Sequence, residues 1–311
     1  MQVFLTIILF ILGVWLLVKG ADWLVRGASR TAEIFKVSPL IIGLSVVATG
    51  TSLPELGVSL TAVLSGSGDI SVGNIIGSNI CNIGLALGIA GIIGAVAVSK
   101  SALRRDFPIM LGITLLLLIF MANSRLERWE GILLFIGFVS YFTYLSKRKE
   151  PFIQKEEKSY QRWIKRFPWL AILFGILAIA VGARLMVNSG VELARFLGVG
   201  EAIIGLSMIA IGTSLPELAT SVVAMLHKES EISLGNILGS NIFNIVFVLG
   251  CVGIIKPINV SQRLFRIDGW IMLGYAIILL PLLLTQYQLS RKEGSFLLGT
   301  YIIYLVYLYL K

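Results

Sequence analysis

Ten long apolar stretches, parted by short polar segments, set the pattern of this chain. They run roughly over 3–30, 39–65, 70–98, 103–122, 130–146, 168–196, 201–226, 232–255, 266–285 and 294–310. Each reaches the roughly 17 to 25 residues that a helix needs to cross hydrocarbon. The expectation is an all-α integral membrane protein of ten transmembrane helices. The first stretch is too long, and too poor in a small-residue cleavage site, to read as a removable leader, and is expected as a retained span. The second and seventh stretches each contain Gly-Thr-Ser-Leu-Pro-Glu-Leu, at 50–56 and 212–218. A proline inside such a run removes a hydrogen bond and clashes with the carbonyl four residues earlier, so helices 2 and 7 are predicted to be broken there.

The pattern repeats. A shift of 162 residues aligns 43–60 with 205–222 at 12 of 18 positions, and the same shift aligns 71–88 with 233–250, again at 12 of 18. One shift serving both blocks predicts two duplicated units, 1–146 and 168–311, joined by a charged linker over 147–167. Each unit holds five spans, and an odd number places the second copy upside down. Inverted repeats of this kind bind their cargo near the membrane midplane, where broken helices meet.

Composition supports the membrane reading. The chain is 57% hydrophobic and 14% charged, with mean hydropathy +0.90, where a soluble domain carries about 25% charged residues. The net charge of +9 is read as orientation and not as a nucleic-acid surface. With the N-terminus outside, 17 Lys and Arg fall in cytoplasmic segments and seven outside; Lys19 and Arg184 lie within helices. Both termini are therefore expected outside a plasma or inner membrane, with the linker in the cytoplasm. Two cysteines, Cys81 and Cys251, and one histidine, His227, are too few for a zinc or iron–sulfur site, and no cofactor is expected. The cysteines read as small core residues and His227 as a solvated loop residue. Asp22 and Arg184, equivalent by the shift, are expected to be solvated or ion-paired. Tyr301, Tyr304, Tyr307 and Tyr309 read as interface and lipid anchors.

Candidate chemistry centres on Glu55 and Glu217. A carboxylate at bilayer depth costs about 2.5–3.5 kcal/mol by insertion scales, which marks a functional site. One copy alone also fits a kinked span with a packed acid; two copies in register favour a site. Thr51 and Glu55 lie four residues apart on one helix face, with Ser52 adding a hydroxyl, and Thr213, Ser214 and Glu217 repeat the set. In the second block Asn74, Ser78 and Asn82 form a polar stripe, repeated by Asn236, Ser240 and Asn244. Gly73/Gly77 and Gly235/Gly239 are pairs that permit close helix approach. An all-oxygen shell suits hard cations such as Ca²⁺ and Na⁺. Two buried negative charges are cancelled by one Ca²⁺ or by two or more monovalent cations or protons. Crossing is then cheap with either cargo and expensive with neither, which predicts exchange instead of leak.

Paired GTSLPE with paired GNxxGSNxxN, covering both halves, resembles the α-repeats of the Ca²⁺/cation antiporter family, which contains the sodium/calcium exchangers. The resemblance implies ten helices in two inverted five-helix units with four central sites. It implies that Glu55 and Glu217 hold Ca²⁺ with the main-chain oxygens of Thr51 and Thr213. Ser52, Ser78, Ser214 and Ser240, with the carbonyls of Ala48 and Ala210, would complete Na⁺ sites, and Asn82 and Asn244 would flank the centre. It also implies that the first helix of each unit, 3–30 and 168–196, slides over the rest. One departure stands out: potassium-dependent and some prokaryotic members look to have Asp where Asn244 stands, and Asn244 removes a possible third charge. That argues against K⁺ co-transport and leaves the occupancy of the centre open. A Ca²⁺/H⁺ exchanger stays open as the main alternative. An intramembrane hydrolase is disfavoured because no aspartate lies deep in a span and there is no HExxH, and a channel because the halves are duplicated and inverted.

Overall fold

In the computed structural model, residues 2–148, 150, 160–198 and 212–310 are described. The chain is helical almost throughout: α1 (Gln2–Phe35), α2 (Pro39–Thr51), α3 (Leu53–Leu64), α4 (Gly68–Ile93), α5 (Phe107–Met121), α6 (Arg128–Lys147), the short α7 (Arg162–Arg166), α8 (Pro168–Phe196), α9 (Leu215–Leu226), α10 (Ser230–Ile255), α11 (Leu264–Leu284) and α12 (Arg291–Leu310). Among the described residues six helices are long and apolar enough to cross a membrane: α1, α4, α6, α8, α10 and α11. The α2–α3 pair, bent by 40°, makes a seventh. The stretch before α9, where much of the seventh predicted span falls, lies outside the described residues.

Local sequence explains the helix ends. Ser38 caps α2, its side chain accepting from the Leu40 amide at 3.2 Å, with Pro39 in the first helical position. Glu127 and Glu130 form a reciprocal capping box at the start of α6, where the Glu127 amide donates to Glu130 at 2.7 Å. Arg148, at the end of α6, reaches back to Asp106 at 2.6 Å and to Ser101 at 2.8 Å, fixing the start of the linker.

Two apolar clusters hold the bundle. The larger runs through α2, α4, α5, α6, α10, α11 and α12. The smaller joins α1 and α8 to α2, α9 and α10 through Leu24, Val25, Ile42, Ile179, Leu215 and Val223. Within the α1–α8 pair, glycines take the contact positions. A methyl group added at Gly13, Gly20 or Gly27 would lie 2.7–2.8 Å from backbone atoms of Met186, Ile179 or Pro168, and one at Gly182 would lie 2.6 Å from the Leu17 amide nitrogen. Removing Cβ lets the two backbones touch, which is how helices associate where lipid offers no hydrophobic drive. Gly235 and Gly239 play the same part between α10 and α2, against Leu40, Leu44 and Ala48.

Two short antiparallel strand pairs join distant loops: β1 (Val96–Ala97) with β4 (Gln288–Leu289), and β2 (Arg125–Leu126) with β3 (Ile258–Asn259).

Three minor expectations are corrected. Tyr301 and Tyr304 do not face lipid: Tyr301 is buried over Gly84, and the Tyr304 hydroxyl donates to Asp268 at 3.1 Å. Helical spacing groups these rings on one face but does not say whether protein or lipid meets it. The Tyr309 side chain lies outside the described residues. His227 is half-buried and pairs with Asp22 at 2.7 Å, instead of standing free in solvent. Asp22 also binds Arg26 at 2.7 Å, while Arg184 is exposed. Cys81 is buried as expected, whereas Cys251 is only half-buried.

Candidate cation site

The two Gly-Thr-Ser-Leu-Pro-Glu copies fold alike. Ser52 (φ −83°, ψ 1°) and Ser214 (φ −87°, ψ 2°) make the turn, and a new helix starts immediately after each, with Pro54 or Pro216 in its first turn. First-turn amides have no intrahelical acceptor, so a proline there forfeits nothing. The prolines thus begin α3 and α9, and the break falls on the serines. Glu55 and Glu217 lie in those first turns, where the free amides of a helix N-terminus favour negative charge. Both glutamates are completely buried.

α4 and α10 supply the facing side chains. The Thr51 hydroxyl donates to Asn236 Oδ1 at 3.1 Å and lies 3.3 Å from Ser240 Oγ. The Thr213 hydroxyl donates to Asn74 Oδ1 at 3.1 Å and lies 3.2 Å from Ser78 Oγ, which donates to Glu55 Oε1 at 3.5 Å. Asn74 Nδ2 in turn donates to Ser59 Oγ at 3.1 Å and to the Glu55 carbonyl at 3.4 Å. Asn236 Nδ2 does the same to Ser221 at 3.1 Å and to the Glu217 carbonyl at 3.3 Å. Each motif is therefore fastened to the block that follows it and to the block of the other half.

Oxygens remain over. Ser52 Oγ, Glu55 Oε2, Asn82 Oδ1, Ser214 Oγ, both carboxylate oxygens of Glu217 and Asn244 Oδ1 are buried with no hydrogen-bond partner among the described residues. A buried polar atom left unpaired costs about 1–3 kcal/mol, and more when charged. These seven, of fifteen such atoms among the described residues, sit on residues expected in the cation shell. A hard cation is the partner that would satisfy several together. Among the described residues no cluster of three or more His, Cys, Asp or Glu side chains occurs.

Ala48 is buried, but its carbonyl already accepts from the Ser52 amide at 3.0 Å and the Thr51 hydroxyl at 3.3 Å. Ala210 lies outside the described residues. Four residues that the sequence reading did not place in the site prove to be structural members of it: Asn79 and Asn241, which join α4 to α10, and Ser59 and Ser221, which hold Asn74 and Asn236. Both asparagines are repeated in GSNxxN, and that duplication was the available signal. Asn82 and Asn244 each open a wider, π-type helical turn, a local irregularity frequent at functional sites.

Ionisable side chains within membrane spans mark ion or substrate pathways, proton relays, voltage sensors or counter-ions to a ligand. The chain belongs to the sodium/calcium exchanger protein family, which it matches over residues 5–147 and 167–310. That family consists of transporters, not enzymes. The chain is 38% identical to the putative antiporter CaxA of Alkalimonas amylolytica, covering 96% of each chain. It is 31% identical to the sodium/calcium exchanger MaX1 of Methanosarcina acetivorans, covering 97% of this chain and 98% of that one. Its structure superposes on that of the sodium-calcium exchanger NCX_Mj with TM-score 0.85 and 31% identity, over 97% of this chain and 98% of the other.

Proposed function

We propose that the protein exchanges Ca²⁺ for Na⁺ across the plasma or inner membrane by alternating access. The observation that carries this reading is the fully buried pair Glu55 and Glu217 among oxygens that lack partners. Two such charges can cross a dry barrier only when neutralised, by one Ca²⁺ or by two or more monovalent cations or protons. Glu55, Glu217, Thr51 and Thr213 hold Ca²⁺ in this reading. Ser52, Ser78, Ser214 and Ser240 serve Na⁺ with the Ala48 and Ala210 carbonyls, and Asn82 and Asn244 flank the centre. Na⁺ as counter-ion is favoured by two relatives named as sodium/calcium exchangers.

The ten-span, two-unit organisation, 1–146 and 168–311 around the linker 147–167, belongs to the same proposal. Matching hydrogen bonds 162 residues apart, Asn74 to Ser59 and Asn236 to Ser221, support it. So do the strand pairs: β1 and β4 join two loops assigned to the cytoplasm, and β2 and β3 join two assigned outside. The α1–α8 pair is the body that slides, and both termini lie outside.

The test is ⁴⁵Ca²⁺ uptake into proteoliposomes under imposed Na⁺, K⁺ or H⁺ gradients. Uptake should follow the Na⁺ gradient and vanish in Glu55→Gln and Glu217→Gln. Uptake driven by a pH gradient without regard to Na⁺ would replace Na⁺ with H⁺, and efficient Ca²⁺ efflux with no counter-cation would rule out exchange.

A further inference from the structure

Four asparagines form a closed set where α4 crosses α10, and their hydrogen bonds admit one assignment of amide ends. Asn79 Nδ2 donates to the Asn241 carbonyl at 3.1 Å, and Asn241 Nδ2 donates to the Asn79 carbonyl at 3.4 Å. A backbone carbonyl only accepts, so the end of each side chain that faces it must be the NH₂. The other end of Asn79 and of Asn241 is then an oxygen, which also only accepts. Asn244 must offer its NH₂ to Asn79 Oδ1, at 3.0 Å, and Asn82 must offer its NH₂ to Asn241 Oδ1, also at 3.0 Å. By elimination the free ends of Asn82 and Asn244 are oxygens, and both are buried without a partner among the described residues. Each sits one helical turn beyond a site serine, Ser78 or Ser240, on the same helix face, and Ser78 itself donates to Glu55.

We infer that the reciprocal Asn79–Asn241 clasp positions the amides of Asn82 and Asn244 so that the centre meets a cation with two neutral oxygens and no N–H. Asn79 and Asn241 are positioning residues: they touch the amides and not the ion. Without the clasp, Asn82 or Asn244 can turn its NH₂ inward and repel the cargo. This inference rests on the proposed cation site. It adds a specificity element that neither half holds alone, because each clasp residue orients an amide on the opposite helix.

The experiment measures half-saturating Ca²⁺ for ⁴⁵Ca²⁺ binding to the purified full chain in detergent, together with Na⁺-driven uptake and melting temperature. The variants are Asn79→Ala, Asn244→Ala, Asn79→Ala with Asn244→Ala, and Asn79→Ala with Asn82→Ala. Residues that orient ion ligands typically contribute about 10-fold to 100-fold in affinity. Asn79→Ala should weaken Ca²⁺ binding by about that range. It should do nothing more once Asn244 is alanine, while its effect should multiply with that of Asn82→Ala. A residue that merely packs would cost the same in every background, and that result, or unchanged affinity in Asn79→Ala, overturns the inference. If the alanine variant fails to fold, Asn79→Ser is read the same way. Native protein that binds Ca²⁺ but does not exchange it sinks the antiport reading and leaves the clasp to be judged by binding; native protein that binds no cation sinks both.

Discussion

The crossing of α4 and α10 and the seam between α1 and α8 answer the same problem, holding helices together in lipid, by opposite means. At the crossing, contacts are directional. The asparagine clasp closes at 3.0–3.4 Å, and beside it Thr51 of α2 meets Asn236 of α10 at 3.1 Å while Thr213, just before α9, meets Asn74 of α4 at 3.1 Å. Such bonds fix oxygen positions closely and break when a helix shifts. Along the seam, Gly13, Gly20, Gly27, Gly175 and Gly182 bring backbones together with no direction preferred. The pair meets its neighbours through a small apolar cluster rich in alanine, and through polar ties such as Asp22 to His227 and Ser29 to Glu229. The lesson is a division of labour. The part that must recognise an ion is cross-bonded, and the part proposed to move is packed smoothly and tied lightly.

Substitutions can break that contrast from either side. The largest effect should come from the centre: Glu217→Gln or Glu55→Gln should lower Ca²⁺ exchange at least about 100-fold, below even the loss of a ligand-orienting residue. The same variants should melt no lower than native protein in ion-free detergent, because an unpaired buried charge has been removed. Gln variants that unfold early would mean the carboxylates hold the fold. Next, Gly182→Leu should force α1 and α8 apart and destabilise the protein by about 1–3 kcal/mol. It should slow exchange while Ca²⁺ affinity stays within a few-fold, as read by uptake rate against half-saturation. Equal losses in affinity would show that seam and site are not separable. Smallest of all, His227→Gln should cost no more than about 1 kcal/mol, since its pair with Asp22 is partly exposed. Its signature should be a changed exchange rate with unchanged binding.

The site was legible because burying oxygen is costly and the chain does it twice at the same spacing. Glu55 and Glu217, Thr51 and Thr213, and Ser78 and Ser240 followed from that alone, and the structure brings them together. The duplication of Asn79 and Asn241 in GSNxxN was legible, but their clasp was not. Asn79 and Asn241 look like further polar residues on their helices, and only a tertiary crossing shows that each serves the opposite helix. The wider turns at Asn82 and Asn244 had no sequence signal either. For the fold, apolar length located the long helices, but it could not separate lipid-facing from protein-facing surface. Tyr301 and Tyr304 were misplaced for that reason. The glycines of α1, spaced by sevens, carried a packing signal that a search for GxxxG overlooks.

The small strands have a bearing on biogenesis. Residues 96–97 and 125–126 leave the ribosome long before their partners at 288–289 and 258–259 exist. Until then the early segments keep open main-chain donors and acceptors at the membrane surface, and α4 lacks the helix that completes its asparagine set. Until residues 258–289 are made, these strands lack their partners. Severing the chain in the linker and supplying both pieces together should restore the assembly, while either piece alone would be a target for membrane quality control.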